Sequence, residues 1–389
     1  MKSEEKTLGG IIKNERIKAG IDQKDLCKEI CVPSYLSKIE HGSVRADNDI
    51  IQRLFNKLGL ETLNEEELES VQGIIKEAYK RLLYGESLDD LKGELTQNAD
   101  KIRNSICAPD FYIIEGLAGT DTVDALSNMR DCLTSRQGAY YEFVKMLYSA
   151  DTLESKLKEA ASILGNSQAY CLYANYLFMK SEYAKAIDME NSIIALCLDE
   201  GNVHSMALYY SLKGSIYSCI NREDLMMSYF EKAVHLLSNT IWTDELNTIY
   251  YNIGSTMISF GKYDDAKRYL DLVCDEDNFL LLHKKATLAV RTGNKTAAKQ
   301  LIARMKKLSE HEISQEECKL RIDELKMECE KNFQYNPEYI DLLDRLIKVL
   351  KKQHHVGHIA FYQDVYLEAC KAQRKYRKAF EFQNSLQHE

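Results

Sequence analysis

The chain has 389 residues, 45% hydrophobic and 29% charged, with a net charge of −9. That length supports two or three domains, and the acidic balance excludes a protein that coats nucleic acid along its whole length. Three prolines exclude frequent helix breaks, so the chain is expected to be all-α, helical almost throughout. The charge is unevenly placed. Residues 1–60 hold 11 Lys/Arg and 9 Asp/Glu, a net of +2, which leaves −11 on the remainder. A mildly basic head therefore precedes an acidic body. A local patch still meets phosphate in such a chain, because screening confines each field to about 10 Å. The eleven cysteines include no CxxC pair. Several, such as Cys171, Cys197 and Cys219, fall on apolar helical faces and read as small core residues in a reducing cytoplasm. Cys27 and Cys31, one turn apart, are spaced for a redox pair, a reading ranked below packing. No apolar window reaches the ~18 residues of a membrane span. The opening MKSEEKTLGG lacks a signal-peptide core. A cytoplasmic protein without membrane contact is expected.

In the head, Leu8, Ile11, Ile12 and Glu15 recur at helical spacing, and Gly20 marks a stop. Asp22 is a good N-cap for a second helix, QKDLCKEI. After a break at Cys31 and Val32, Pro33 opens a third helix, PSYLSKIEH, where its missing N–H costs nothing. That helix stops at Gly42, and Asp47 or Asn48 caps a fourth, DIIQRLFNKLG. Leu26, Ile30, Leu36 and Ile39 supply inward faces. Ser34, Tyr35, Ser37 and Lys38 point outward, the layout of a recognition helix that enters the major groove.

The stretch Gln23–Gly42, QKDLCKEICVPSYLSKIEHG, resembles the Xre/Cro-type helix-turn-helix family, and its short form is similar to the PlcR-type regulators. The resemblance covers about 55 residues. It implies that Gln23 reaches a phosphate or a base edge. By position, Ser34, Tyr35 and Lys38 are the candidates for base edges, Lys38 toward guanine and Tyr35 toward a thymine methyl. Ser37, Lys24 and Arg45 are placed for phosphates. Glu40 and Ile39 read as structural. The family's glycine before the third helix is missing, with Glu29, Ile30 and Cys31 in that region, so the turn geometry stays open. One small head makes few contacts, so a homodimer on a palindromic double-stranded DNA site is expected.

Asn64 can cap a helix EEELESVQGIIKEAYKRLLYG, read as a linker over residues 63–83. The first domain is then 1–62, and the third, 84–389, is regulatory. Weak self-similarity runs through it. Ala174, Gly214 and Gly254 begin comparable segments, and Ala186, Met226 and Ala266 recur 40 residues apart. Further copies carry Ala286, Gly293 and Ala298, then Tyr376 and Ala379, with a degenerate one near Tyr339 and Leu342. This resembles the tetratricopeptide repeat, with a worn pattern and longer spacing. The resemblance implies a right-handed superhelical array that serves dimerisation and whose groove takes an extended peptide. Its inward positions fall on Gln168, Cys171 and Asn175, on Ser211, Leu212 and Ser215, on Tyr251, Asn252 and Ser255, and on His283, Lys284 and Thr287. Of these, Gln168, Asn175, Ser215, Tyr251, Asn252, His283 and Lys284 are the candidate peptide contacts, Lys284 toward a terminal carboxylate.

A helix-turn-helix head before such repeats resembles the RRNPP group, which senses short signalling peptides in quorum sensing. The expected function is a transcription regulator switched by a peptide. The alternative is a DNA-binding scaffold whose repeats hold a protein partner. An enzyme has no supporting motif: there is no GxxxxGK[ST], no GxGxxG and no nucleophile elbow. His354, His355 and His358 form an HHxxH cluster, read as a solvated surface rather than a metal site. No cofactor is expected.

Overall fold

A computed structural model describes residues 2–149, 151–275, 277–310, 314–353 and 356–387. The described residues form helices and no strand. The head consists of α1 (Lys2–Lys18), α2 (Gln23–Cys27), α3 (Pro33–Glu40) and α4 (Asn48–Leu58). Asp22 caps α2 as expected, its Oδ1 accepting from the Asp25 N–H at 2.7 Å. Asp47 is the N-cap residue of α4 but gives no side-chain hydrogen bond. Ile12, Leu26, Leu36, Ile39, Leu54 and Phe55 are buried together, whereas Ile30 is only partly covered. α1 crosses α3 at Gly9, where a Cβ would lie 1.9 Å from the Ile39 carbonyl oxygen. Any side chain there would push the two helices apart.

α2 ends three residues sooner than the sequence pattern implies. Glu29 lies in the left-handed region, with φ 67°, so the helix stops before it. The turn thus holds a residue with a Cβ in a conformation that glycine adopts without strain.

α5 (Glu65–Tyr84) opens on a capping box. Asn64 Oδ1 accepts from the Glu67 N–H at 2.9 Å, and Glu67 Oε2 accepts from the Asn64 N–H at 2.8 Å. Its buried Val71, Ile75 and Ala78 pack with Ile102, Phe111 and Ile114. α5 is thus a core helix as well as a connector. There follow α6 (Asp89–Gln97), α7 (Ala99–Arg103), α8 (Ala108–Leu117), α9 (Val123–Asn128), α10 (Ser135–Tyr148) and α11 (Glu154–Leu164). Next come α12 (Ser167–Met179), α13 (Tyr183–Asp188), α14 (Glu190–Glu200), α15 (Val203–Cys219), α16 (Glu223–Leu237), α17 (Thr243–Ser259) and α18 (Tyr263–Leu270). The last are α19 (Phe279–Arg291), α20 (Lys295–Leu308), α21 (Gln315–Glu328), α22 (Pro337–Gln353), α23 (Val356–Ala360), α24 (Gln363–Ala372) and α25 (Tyr376–Gln387). The chain divides into two compact units, Met1–Tyr173 with Ala195–Ser205, and Ala174–Ile194 with Met206–Glu389.

One turn recurs in the second unit. Ser181, Asn221, Gly261, Gly293 and Arg374 have φ of 59°, 55°, 71°, 76° and 57°. After each, the next N–H donates to a carbonyl five residues back: Glu182 to Leu177, Arg222 to Tyr217, Lys262 to Met257, Asn294 to Ala289 and Lys375 to Cys370, all at 2.8–2.9 Å. This is the Schellman closure, and it satisfies the end of the outgoing helix. The returning helix starts two residues later in every case. Its fourth residue is Ala186, Met226, Ala266 or Ala298, each fully buried, and in the last copy Ala379, which is partly covered. The paired helices touch at small residues. A Cβ on Gly214 would meet the Phe230 ring at 2.6 Å, and one on Gly254 would meet Leu270 Cγ at the same distance.

Five cysteines (Cys27, Cys107, Cys197, Cys318 and Cys370) are buried, and Cys274 is exposed. Cys31 is half-buried, and burial raises its thiol pKa, which disfavours the reactive thiolate. No described helix is long and apolar enough to cross a membrane.

Three substitutions test this packing. Gly254→Val is expected to destabilise the second unit by about 1–3 kcal/mol through overpacking, whereas Gly73→Ala, at a helical position with open space, is expected to stabilise by about 0.5–1 kcal/mol. Glu29→Gly is expected to raise the stability of the head by roughly 0.5–1 kcal/mol by relieving the left-handed strain. Urea titrations followed by circular dichroism check all three, and a neutral Gly254→Val or a destabilising Glu29→Gly contradicts the assignments.

Candidate functional site

α3 is held in place from below. Leu36 and Ile39 are fully or almost fully buried, and this fixes which residues remain outside. Ser34 and Lys38, one turn apart, are exposed; Tyr35 and Ser37 are half-buried. The Tyr35 side chain packs partly against the head's core. The Ser37 carbonyl oxygen pairs with His41 Nδ1 at 2.6 Å. Lys24 and Arg45 are exposed on either side in sequence, on α2 and beyond α3. The structure therefore leaves Ser34, Lys38, Lys24 and Arg45 open to solvent, with Tyr35 and Ser37 partly so.

Gln23 is fixed by a network the sequence pattern does not reveal. Glu40, on the buried side of α3, accepts from Arg16 Nε at 2.6 Å, from Arg16 Nη2 at 3.1 Å and from Gln23 Nε2 at 2.7 Å. The hydrogen bond and charge of Glu40 raise the Arg16 pKa against the opposing effect of burial. A buried carboxylate held by a bidentate guanidinium fork is geometrically specific. Here it ties α1, α2 and α3 together and sets the position of Gln23. The α2–α3 turn is braced from α4: Lys57 Nζ donates to the Lys28 carbonyl at 2.9 Å, and Arg53 Nη2 donates to the Glu29 carbonyl. Those two cations brace the backbone of the turn.

The residues proposed for the groove fall in different settings. Gln168, in the first unit, caps α5: its Nε2 donates to the Leu82 carbonyl at 2.5 Å, beside Asn202 Nδ2, which donates to the Leu83 carbonyl at 2.8 Å. The other six lie in the second unit. Asn175 is exposed, and Ser215, Tyr251 and Asn252 are half-buried. The Ser215 hydroxyl donates back to the Ser211 carbonyl at 3.1 Å. His283 and Lys284 differ from the exposed groove-wall positions that the register gives them. Both are buried, His283 at 0% and Lys284 at 4% exposure. α19 is packed by α17, α18, α20 and α21, so it has little solvent face left.

Around them lies a dense polar cluster. Arg321 donates through Nε to Glu317 at 2.8 Å and through Nη1 to the Tyr362 hydroxyl at 2.9 Å. The Tyr362 hydroxyl lies 3.2 Å from His283 Nε2. Lys284 Nζ sits 2.9 Å from the centre of the Phe361 ring. Farther along, Tyr339 donates to Glu328 at 2.9 Å, and Arg291 pairs with Glu328 at 3.2 Å. Burial is the main cause that drives the His283 and Lys284 pKa values well below their ordinary values, with the Arg321 charge adding to it. Tyr251 is pushed up to about 12, again by burial, with Arg321 and Glu317 beside it. Glu317, Arg321, Glu324 and Glu328 recur along one face of α21. Only the arrival of α19, α22 and the 361–362 segment buries it.

His354 and His355 of the HHxxH cluster lie outside the described residues. Among the described residues no group of three or more His, Cys, Asp or Glu is placed to hold a metal. No curated protein and no solved structure matches the chain. Residues 12–64 match the helix-turn-helix family model, which places an Xre-type helix-turn-helix, the fold of DNA-binding regulators, at the N-terminus.

Proposed function

We propose that the chain is a sequence-specific DNA-binding transcription regulator that acts as a homodimer on a palindromic promoter site. A short signalling peptide, bound by residues 84–389, controls it. The observation that carries the first half is α3 itself: Ser34 and Lys38 stand exposed on one side of a helix whose other side is locked into the head's core. The head spans 1–62 and α5 leads from it. Lys38 donates to guanine, Tyr35 offers its half-exposed ring to a thymine methyl, and Ser34 takes a neighbouring base edge. Lys24, Ser37 and Arg45 hold phosphates, and the Gln23 amide works from the anchor that Glu40 provides. Asp22, Asp25 and Glu29 are also exposed near this face, so a single head binds weakly and two are required.

The successive helix hairpins support the second half, since such pairs stack into ligand-binding arrays. Asn175, Asn252, Tyr251 and Ser215 offer side chains that hydrogen-bond an extended backbone. The peptide shifts the two heads only to the extent that it binds one arrangement more tightly than the other. A second reading, with a protein partner on the repeats, is favoured by Tyr376 and Phe380, each 64% exposed and one turn apart on α25.

Lys38→Ala is expected to cost about 1–3 kcal/mol at one base position and to relax specificity there, while Lys24→Ala weakens all sequences alike and lowers the salt slope by about 1. Fluorescence anisotropy on promoter and scrambled duplexes checks both. Equal binding of Lys38→Ala, Tyr35→Ala and the parent to the promoter would sink the recognition-helix assignment. Asn252→Ala is expected to weaken the peptide response with basal DNA binding intact, and an unchanged response rejects its place in the groove.

A further inference from the structure

The buried cluster on α19, α21 and the 361–362 segment is unbalanced in its hydrogen bonding. Tyr362 receives a hydrogen bond from Arg321 Nη1, so its own proton goes to His283 Nε2. The proton of the neutral imidazole is then on Nδ1. That Nδ1–H is buried without a partner, and so is Arg321 Nη2. Lys284 Nζ has no carboxylate within ion-pair distance among the described residues and rests on the Phe361 ring. Each orphaned buried donor costs free energy, and two such donors beside the buried Lys284 amine form a site short of an acceptor.

The acidic side behaves differently. Glu324 Oε2 and Glu328 Oε2 also lack a conventional partner. Yet burial and the neighbouring Glu328, to which Glu324 is hydrogen-bonded, hold Glu324 protonated well above the ordinary carboxylate range. The remaining charges pair off, Arg321 with Glu317 and Arg291 with Glu328. With Lys284, His283 and Glu324 in the neutral forms that burial favours, the cluster carries no net charge. Tyr339 and His358 also face it, the latter near enough to bear on His283. Half-buried Tyr251 lies beside Arg321 and Glu317.

We propose that this cluster is a binding site for one carboxylate monoanion, held by Lys284, Arg321 Nη2 and His283 Nδ1–H. The charge balance selects a monoanion. When the anion enters, Lys284 takes one proton from solvent, and the site returns to net zero. A dianion such as phosphate leaves a buried negative charge, which is costly. This assignment rests on the reading of the repeats as a ligand-binding region, but not on that ligand being a peptide. The carboxylate belongs either to a free small acid or to the C-terminus of a peptide.

The sign of the pH dependence follows from the proton taken up. Lys284 is depressed in the empty site and raised beside the anion, so between those two limits affinity falls by about tenfold per pH unit as pH rises. The full chain is titrated with acetate, with Ala-Ala-Ala carrying a free C-terminus, with its C-terminal amide, and with inorganic phosphate. Thermal unfolding and calorimetry are the readouts, at about pH 7 to about pH 9. Lys284→Met removes a buried amine that has no acid partner and keeps the length of the side chain, so it is expected to fold with a Tm at or above the parent's. It should bind the carboxylates at least tenfold more weakly, with no pH dependence. Saturable binding of acetate and the tripeptide alike identifies a small free acid. Tighter binding of the tripeptide than of acetate identifies a peptide terminus. Either result supports the site and is independent of any effect on DNA. Binding of the amide as tight as that of the acid, stronger binding of phosphate, an unchanged response in Lys284→Met, or no saturable response in the parent overturns it.

Discussion

The turn that reverses each helix governs much of the second unit. Three residues separate the outgoing helix from the returning one, and the middle one sits in the left-handed region. A reversal that tight forces the two helices together. They fit only where one side offers a small residue, as Gly254 does against Leu270 and Gly214 against Phe230. The faces turned inward are fixed at the same time, because the fourth residue of each returning helix is carried to the contact. From these two demands come the buried alanines and methionine of the hairpins, and with them the placement of α19 against α21. The buried polar cluster is a consequence of that placement. Charged residues on α21 that an isolated helix would show to water are enclosed by its neighbours.

The head meets a similar demand with different means. α1 approaches α3 at Gly9, and the turn between α2 and α3 uses a glutamate where a glycine would be free of strain. Arg53 and Lys57 hold the carbonyls of that turn. Glu40 draws Arg16 and Gln23 to one point. The result is a rigid platform under α3, which suits a surface that must present a few side chains to base edges at fixed positions.

The head was largely legible in the sequence, because each of its signals is local. Asp22 as a cap, Pro33 at a first turn and the inward spacing of Leu26, Leu36 and Ile39 can be read without knowing what lies across the core. Asn64, the cap of α5, belongs to the same class. Early termination of α2 was not legible, since nothing in Glu29 itself announces a positive φ. The helix pairs of the body were visible through small residues at intervals of 40, and the turns at Ser181, Asn221 and Gly261 keep that interval. Exposure was not visible there. His283 and Lys284 look like surface residues on their own helix, and only packing from several neighbours makes them core. Arg16 and Arg321 carry no local signal for the same reason: a charged residue reveals its burial through partners 24 or 41 positions away.

The central claim is that the head reads DNA sequence and that two copies act together. Selection of duplexes from a random pool by the full chain tests it most directly. The account predicts an enriched inverted repeat whose half-sites are centred about 10 base pairs, one helical turn, or a multiple of that apart. A pool that shows no enriched sequence, or only an isolated half-site bound by one copy, would contradict it.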